Sequence, residues 1–460
     1  MPPSIGRALL FVLVLLPHTA FANDKSAEGL VDFLNYTAWG VPKDKVDLPA
    51  LSAKVAMLVT DDPENRQKVA NHFSQWFEQY PGIAVEVKKA TQYDINYRAL
   101  GNATLGNVKG PAFVVEDRTG GDRKPIGNFY LLELSQDKDA PRVVDVIYAN
   151  DALSYSTWIA YDLYFSRHPS KALLQRFISS AELSDQDWAI FQSIWEHRDR
   201  EEWKEVMAGF DMLSPRVRVS PLMLGLKYKL LAQLEIDKPR VGAANFAIQQ
   251  HHYKNTAKVV EQVYGKSIYS ALRLLPWYWE EDQYQKMSQA LSVVENHFGL
   301  TEAIIRHQVK SYARTGDYKS AVRYAQIRLE NAPNERTYSG LVEILIGAKD
   351  YEQALVYAKQ YYNEYKSQDS AVFLTTVHSL LGNKKQVSQF RKLLLDEYGL
   401  EALQIDMVLT LTSKDFRAFV TLLDNNKDKI PLTPADMKGQ LIFEDFLKSK
   451  EYAKWAKKFD

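Results

Sequence analysis

The sequence GDYKSAVRYAQ (Gly316–Gln326) is partly repeated 33 residues later as KDYEQALVYAK (Lys349–Lys359), with five of the eleven positions identical. In both copies a polar turn precedes a tyrosine, and apolar residues follow at the three- and four-residue spacing of a helix face. A period of this length is typical of stacked helix pairs, which bury their apolar faces against their neighbours. The stretch therefore predicts a helical-repeat architecture.

One complete unit can be delimited between residues 301 and 334. Apolar residues at helical spacing predict a first helix, which the turn Thr315-Gly316-Asp317 ends. A second helix follows and stops before Pro333, because proline lacks the backbone N–H that a helix interior needs. Ala321 and its counterpart Ala354 are expected where two helices approach so closely that a larger side chain would force them apart.

These residues resemble the tetratricopeptide repeat (TPR) family, whose units have a tyrosine in the first helix, glycine then tyrosine at the turn, an alanine and a final proline. The matching residues here are Tyr312, Gly316, Tyr318, Ala321 and Pro333, and the second copy keeps Tyr351 and Ala354. Lys349 stands where the family has the turn glycine. The resemblance is strong over residues 301–368, and weaker copies are marked by Trp203, Tyr253, Tyr284, Lys384, Phe416 and Tyr452. It implies a TPR-like α-helical domain over residues 166–460.

Residues 23–165 do not follow this period and predict a small N-terminal α/β domain. Strands are expected at 54–60, 83–89, 110–117, 128–135 and 141–149. A helix begins after residue 60, with Asp61 or Asp62 as its N-cap and Pro63 at its first position. An aromatic-rich helix at 150–166 leads to a boundary near His168-Pro169-Ser170. The fold class predicted overall is α+β, in which this domain precedes an all-α helical-repeat solenoid.

The first 22 residues have the pattern of a secretory signal peptide. Arg7 precedes the short apolar run 8–16, and Ala20-Phe21-Ala22 forms a small-x-small cleavage site before Asn23. The alternative is an uncleaved anchor. The chain contains no cysteine, which excludes a lipoprotein anchor and disulfide staples. We therefore expect a periplasmic or secreted protein without a membrane span after cleavage. Its zero formal net charge provides no global field for nucleic acid.

No stretch of the sequence carries a catalytic, cofactor or metal motif. The Gly-rich stretch 119–121 lacks the Lys-Ser/Thr of a phosphate loop and indicates a hairpin turn. His251-His252 are adjacent and point in different directions on any regular element, so two exposed histidines are the simpler interpretation. The acidic residues of 61–64 fit either a cation or acid–base site or, more simply, a helix N-terminus. We therefore expect no cofactor, no metal and no enzymatic activity.

A basic stripe is the strongest candidate binding surface. Arg306, Lys310 and Arg314 follow one another at i, i+4 and i+8 on the first helix of the best repeat. By the TPR resemblance this helix lines a concave groove, where paired cations would hold the carboxylates of an acidic or C-terminal peptide. A solvated helix face is the alternative. The next repeat has Ser339 and Glu343 at the matching positions, so the stripe does not continue.

Two aromatic groups are further candidates. Trp277, Tyr278 and Trp279 follow Pro276, which should end or kink a helix, and three consecutive aromatic residues cannot all face one core. We therefore expect at least one of them at a surface or an interface. The aromatic series between residues 155 and 165 fits either a helix buried on a sheet or a surface that stacks on sugars or peptides.

These observations favour a non-enzymatic scaffold that binds proteins or peptides in envelope assembly or secretion. A hydrolase with its active site in the N-terminal domain, and with repeats that recruit substrate, is the alternative. It requires convergent polar side chains within residues 54–150. A third hypothesis is a factor for envelope polysaccharide or secretion assembly, which binds glycan through its aromatic clusters.

Overall fold

The computed structural model of the chain shows two compact units. It describes residues 40–80, 82–84, 95–117, 128–135, 142–150, 152–166, 169–178, 181–227, 256–428, 432–437 and 441–459. The predicted signal peptide, the stretch 119–121, His251-His252 and Tyr253 lie outside these residues. The first unit extends to Asp282 and includes Gln289–Gly299, whereas the second contains Gln283–Ser288 and continues from Leu300.

The first two α-helices that the structure describes in the first unit are α1 at Leu48–Val59 and α2 at Pro63–Phe77. The strand predicted at 54–60 is wrong, because this segment is the second half of α1. The helix starts upstream, where Asp47 accepts a hydrogen bond from the Ala50 amide at 3.1 Å and Pro49 occupies the first turn. A short apolar run cannot by itself be distinguished from part of a buried helix.

Antiparallel strands come before and after these helices in the chain. The short strands β1 (Gly40–Pro42) and β2 (Gly82–Ala84) pair with each other. A five-stranded sheet then runs in chain order through β3 (Ile95–Leu105), β4 (Val108–Asp117), β5 (Asn128–Leu134), β6 (Val143–Tyr148) and β7 (Leu153–Ser154). The strands predicted at 110–117, 128–135 and 141–149 are thereby confirmed. The predicted strand–helix–strand order is corrected to two helices followed by an antiparallel meander, as in an α+β fold.

Strand β3 was not predicted from the sequence. Its residues, INYRALGNATL, include glycine, alanine and two asparagines, which are poor strand formers. The strand is interrupted by a bulge between Ala99 and Gly101, where Gly101 has φ +79°. The side chains of β3 do not favour a strand, but its long antiparallel pairing with β4 supplies backbone hydrogen bonds that stabilise one.

Helices complete the first unit. They are α3 (Tyr155–Ala160, continued by a π-helical turn at Tyr161–Phe165), α4 (Lys171–Phe177), α5 (Asp185–Asp199), α6 (Trp203–Met212), α7 (Pro215–Arg218) and α8 (Ile268–Glu280). Residues 221–227 and 256–264 are also helical. Helix α9 (Tyr284–Phe298) contributes residues to both units.

The sheet shares one hydrophobic core with α1, α2 and the helices from α3 to α7, and this core draws on residues from Val41 to Leu226. The aromatic helix α3 lies inside it: Tyr155, Tyr161 and Phe165 are buried, which confirms the core interpretation of that series. The boundary predicted near residue 166 lies within this unit.

The second unit is a series of helix pairs that begin at nearly constant intervals along the chain. The first pair is α10 (Glu302–Thr315) with α11 (Tyr318–Asn331), and the second is α12 (Glu335–Gly347) with α13 (Tyr351–Tyr365). The third pair is α14 (Gln368–Leu380) with α15 (Lys384–Asp396), and the fourth is α16 (Ala402–Thr412) with α17 (Phe416–Asn425). The helix boundaries predicted for residues 301–334 are confirmed, since α11 ends two residues before Pro333.

The same turn recurs within these pairs. Each first helix is followed by one residue in the left-handed conformation: Gly316, Lys349, Gly382 and Lys414. In three of the turns the next residue is an aspartate, which caps the second helix by accepting an amide hydrogen bond at 3.0–3.1 Å. Ala321 and Ala354, three residues into the second helices, are fully buried, as expected for close helix approach.

The chain ends in short helical segments. These are α18 (Pro434–Met437), a 3₁₀ turn at Leu441–Phe443, α19 (Glu444–Leu447) and α20 (Lys450–Ala456). Phe446 and Trp455 are buried in a core shared with Phe419 and Leu423 of α17. The C-terminal residues therefore cover the apolar side of the last helix pair.

Candidate functional site

The structure places the predicted basic stripe along one helix, α10. Arg306 and Lys310 are half-buried, whereas Arg314 is exposed and its guanidinium carbon lies 5.9 Å from the ring centroid of Tyr284. The matching positions of α12 carry exposed Glu343 and half-buried Ser339. The stripe does not continue into the second pair. Two of its three side chains are half-buried, so it is not a fully solvated helix face.

Helix α10 also buries polar side chains that sequence reasoning missed. His307, Gln308 and Ser311 are almost fully buried. The Gln308 amide donates to the Ser288 carbonyl at 3.4 Å. At the positions of Gln308 and Ser311, helix α12 has buried Leu341 and Ile344. The signal that could have identified them is the presence of polar residues in the first pair where the second pair has apolar ones.

The aromatic triplet at the end of α8 divides between core and surface. Tyr278 is buried, whereas Trp277 and Trp279 are half-buried, so the expectation of a partly exposed aromatic residue is confirmed. Pro276 does not end the helix, which continues to Glu280. Burial raises the pKa of Tyr278 to about 12, so its phenol is neutral at physiological pH.

A mostly apolar cavity of about 280 Å³ lies between the first helices of the third and fourth pairs. Val372 and Thr375 of α14, Leu394 of α15, and Ile405 and Val408 of α16 contribute to its walls. Gln368 and Gln404 add amide groups. The cavity has the size and composition to receive an apolar side chain, with amides that can bond a backbone.

A charged cluster joins the C-terminal segment to the turns of the repeats. Lys414 Nζ lies 2.7 Å from Asp445 Oδ2, and Lys349 Nζ lies 3.8 Å from Asp445 Oδ1. The hydrogen bond from Lys414 lowers the pKa of Asp445, and Lys349 adds to this effect. Sequence reasoning identified Lys349 only as a departure from the turn glycine, and no periodic signal connects it with Asp445.

A second polar cluster lies in the first unit, within the region that the hydrolase alternative requires. Lys54 forms ion pairs with Glu133 and Asp145, the latter at 3.5 Å. Asp145 is fully buried and accepts hydrogen bonds from the Ser156 amide at 3.1 Å and the Ser156 hydroxyl at 2.6 Å. Burial raises the pKa of Asp145. These bonds join α1, β5, β6 and α3, which accounts for the cluster by structure alone.

The acidic loop at residues 61–64 serves the helix that follows. Asp62 caps α2 by accepting the Glu64 amide at 2.9 Å, as predicted. Asp61 accepts a hydrogen bond from Arg176 Nη1 at 2.9 Å, and this bond lowers the pKa of Asp61. The loop thus links α4, through Arg176, to the start of α2.

Among the described residues, no group of three or more His, Asp or Glu side chains is placed to hold a metal ion. The described helices include none that is both long enough and apolar enough to cross a bilayer. No protein-family model matches the sequence, and no curated protein matches it significantly.

Proposed function

We propose that this chain is a periplasmic or secreted TPR-like protein that binds protein or peptide segments along the first helices of its repeats, as a scaffold in envelope assembly or secretion. The observation that carries the proposal is the regular series of helix pairs between Glu302 and Asn425. Stacked pairs of this kind create extended surfaces that bind other chains.

The first helices carry two features that suit a bound peptide. Helix α10 has the basic stripe, which can hold carboxylates. Helices α14 and α16 border the apolar cavity, which can receive a side chain. A ligand with at least one carboxylate and one apolar anchor fits this set of groups.

The localisation part of the proposal rests on the signal-peptide pattern of residues 1–22 and on the absence of cysteine. It predicts that cleavage before Asn23 releases a chain that begins at that residue. Export in a bacterial host, followed by N-terminal sequencing of the product, tests it. An N-terminus at Met1 on an exported protein would contradict it.

The binding part is tested by capture of partners with residues 23–460 as bait in a periplasmic extract of the source organism. The stripe variant Arg306→Ala/Lys310→Ala/Arg314→Ala should lose partners that the parent retains. The matched control is Lys319→Ala/Arg323→Ala, which removes two exposed cations from the second helix of the same pair. Circular dichroism establishes that both variants are folded.

Loss of one defined partner with the stripe variant, but not with the control, supports the proposed groove. Equal capture by the parent and both variants contradicts a role for the stripe. If the parent captures no partner at any salt concentration, the scaffold proposal fails, and the cluster around Asp145 becomes the first place to look for catalysis.

A further inference from the structure

Two turns of the repeats place a lysine where glycine is energetically preferred. Lys349 and Lys414 have φ +61° and +62°, and Gly316 and Gly382 occupy the same position in the other two pairs. A residue with a Cβ atom adopts this left-handed conformation less readily than glycine does. The conformation alone does not mark a function, because Lys366 also adopts it with φ +46°; what distinguishes Lys349 and Lys414 is the group that their amines contact.

Both lysines contact one carboxylate. Lys414 donates to Asp445 at 2.7 Å, and the Lys349 amine lies 3.8 Å from the other oxygen of the same group. Lys349 lies in the turn of the second pair and Lys414 in the turn of the fourth, so Asp445 bridges these two pairs. All three side chains are more than a third exposed, so solvent and other anions can reach the cluster.

Residues on both sides of Asp445 contact the helix pairs. The turn Leu441–Phe443 contacts α12 and α16, which are the first helices of the second and fourth pairs. Phe446 is fully buried, with its ring centroid 4.9 Å from that of Phe419 and 5.5 Å from that of Phe416. The segment LIFEDFL (441–447) thus combines a bridging carboxylate with aromatic anchors on either side.

We infer that residues 441–447 are an internal ligand, which occupies a site on the repeats that also binds a partner peptide with an acidic residue flanked by aromatic residues. The inference rests on the proposed function, because it names a ligand class for the same series of repeats, at the turns that follow α12 and α16 and on helix α17. Binding of a partner requires that its carboxylate replace Asp445 between Lys349 and Lys414 and that its aromatic side chain replace Phe446.

The charge pattern of the site favours this ligand over others. Two ammonium groups around one carboxylate select an anion, and the adjacent Phe416 and Phe419 select an aromatic side chain. Phosphate or nucleic acid would satisfy the lysines but would leave the aromatic recess without a partner. A purely apolar peptide would leave both ammonium groups without a counter-charge.

When the internal segment occupies the site, a partner cannot bind. The apparent affinity for a partner is therefore the intrinsic affinity multiplied by the fraction of molecules in which the site is open. A chain with a weakened internal ligand should therefore bind the peptide more tightly. The full-length mature chain is titrated against a fluorescent peptide of residues 441–449, LIFEDFLKS, and against a copy with Asn in place of its aspartate.

The variant Asp445→Lys should bind the peptide about tenfold more tightly than the parent, because repulsion opens the site while both receptor lysines remain. Asp445→Asn should show about a threefold gain and provides the test if charge reversal unfolds the chain. The further changes Lys349→Ala/Lys414→Ala should abolish the gain, and the Asn peptide should bind weakly to every variant.

Lys366→Ala is the matched control for the lysine substitutions. Lys366 also has a left-handed conformation, with φ +46°, at the end of α13, and its described contacts do not include Asp445. Alanine retains the Cβ atom at all three positions, so the backbone cost is unchanged, and each substitution removes the same methylene groups and the same amine. Lys366→Ala in the Asp445→Lys background should leave the affinity for the peptide unchanged.

Equal peptide affinity for the parent, Asp445→Lys and Asp445→Asn would overturn the inference and leave the segment a structural cap. Exchange of C-terminal segments between two copies, detected as a dimer by light scattering, would also overturn it, because the occupant would then be the chain itself. If the inference fails while the parent still captures a partner that depends on Arg306, Lys310 and Arg314, the proposed function stands.

Discussion

The two units of this chain are stabilised in different ways. In the first unit, one core draws on residues from Val41 to Leu226, so helices and strands that are distant in sequence bury the same surface. In the second unit, several smaller cores lie between neighbouring helices, as around Leu341 and Leu374 or around Leu394 and Ile405. The first unit depends on long-range contacts, and the second on local ones.

This difference leads to different expectations for stability and function. A defect in the shared core should affect the whole first unit, whereas a defect in one helix pair should remain largely local, as in other repeat proteins. A repeat unit can also vary individual residues on one face, such as those of the basic stripe, with little effect on neighbouring pairs. We therefore expect binding residues to be more tolerant of substitution than core residues of the first unit.

The largest effect is expected for Phe165→Ala in the first unit. Phe165 is fully buried, with ring centroids of Tyr161, Phe177 and Phe191 at 5.2, 6.2 and 5.7 Å. Truncation leaves a cavity and should lower the free energy of unfolding by about 3–5 kcal/mol. Urea unfolding followed by tryptophan fluorescence measures it. A loss below about 1 kcal/mol would contradict the existence of a single shared core.

A smaller and more local effect is expected for Ala354→Leu in the second pair. Ala354 is fully buried where α12 and α13 approach, so a larger side chain should cost about 1–3 kcal/mol. Hydrogen exchange should show lost protection in residues 335–380 and unchanged protection in the sheet. The control is Val356→Leu, two residues away on an exposed position. Uniform loss of protection across the chain would refute the local behaviour of the repeats.

The turns provide a reciprocal pair of substitutions. Gly316→Ala should destabilise the first pair by about 1 kcal/mol, because Gly316 has φ +79°. A Cβ there would meet no atom within 4 Å, so the cost is conformational rather than steric. Lys349→Gly should gain a similar amount of stability because glycine adopts this backbone conformation without cost. It should lose part of that gain because the contact with Asp445 is removed. Thermal unfolding compares them, and an unchanged Tm for Gly316→Ala would show that the turn is not strained.

The smallest effect concerns pH. Because Lys414 lowers the pKa of Asp445 below its ordinary value of 3.8, the folded state binds this proton less readily than the unfolded state. The stabilisation is therefore complete well above pH 3.8 and is lost as the pH falls below that value. It should amount to less than about 1 kcal/mol, since the pair is partly exposed.

The parent and Asp445→Asn are compared by urea unfolding between pH 7 and pH 3. Their difference in unfolding free energy should be present at neutral pH and should shrink toward pH 3. A difference that stays constant over this range would show that the charge of Asp445 does not contribute.

The helix pairs could be predicted from sequence because the signals that form them are local. Gly316 and Asp317 end one helix and cap the next within a few residues, and Pro333 follows the second. The strand β3 and the helix α1 were misjudged because their structure depends on distant partners or upstream caps. The contact of Asp445 with Lys349 and Lys414 could not be predicted at all, since it joins residues that no period relates.

Residues 302–425 consist of stacked helix pairs with a period near 33 residues. Deletion of residues 335–367, one full period, tests it most directly, with deletion of residues 335–350, a single helix with its turn, as the control. We predict that the full-period variant keeps helical circular dichroism and a cooperative thermal transition, whereas the control loses both for the repeat region. Equal unfolding of the two variants would contradict the repeat architecture and the binding surface built on it.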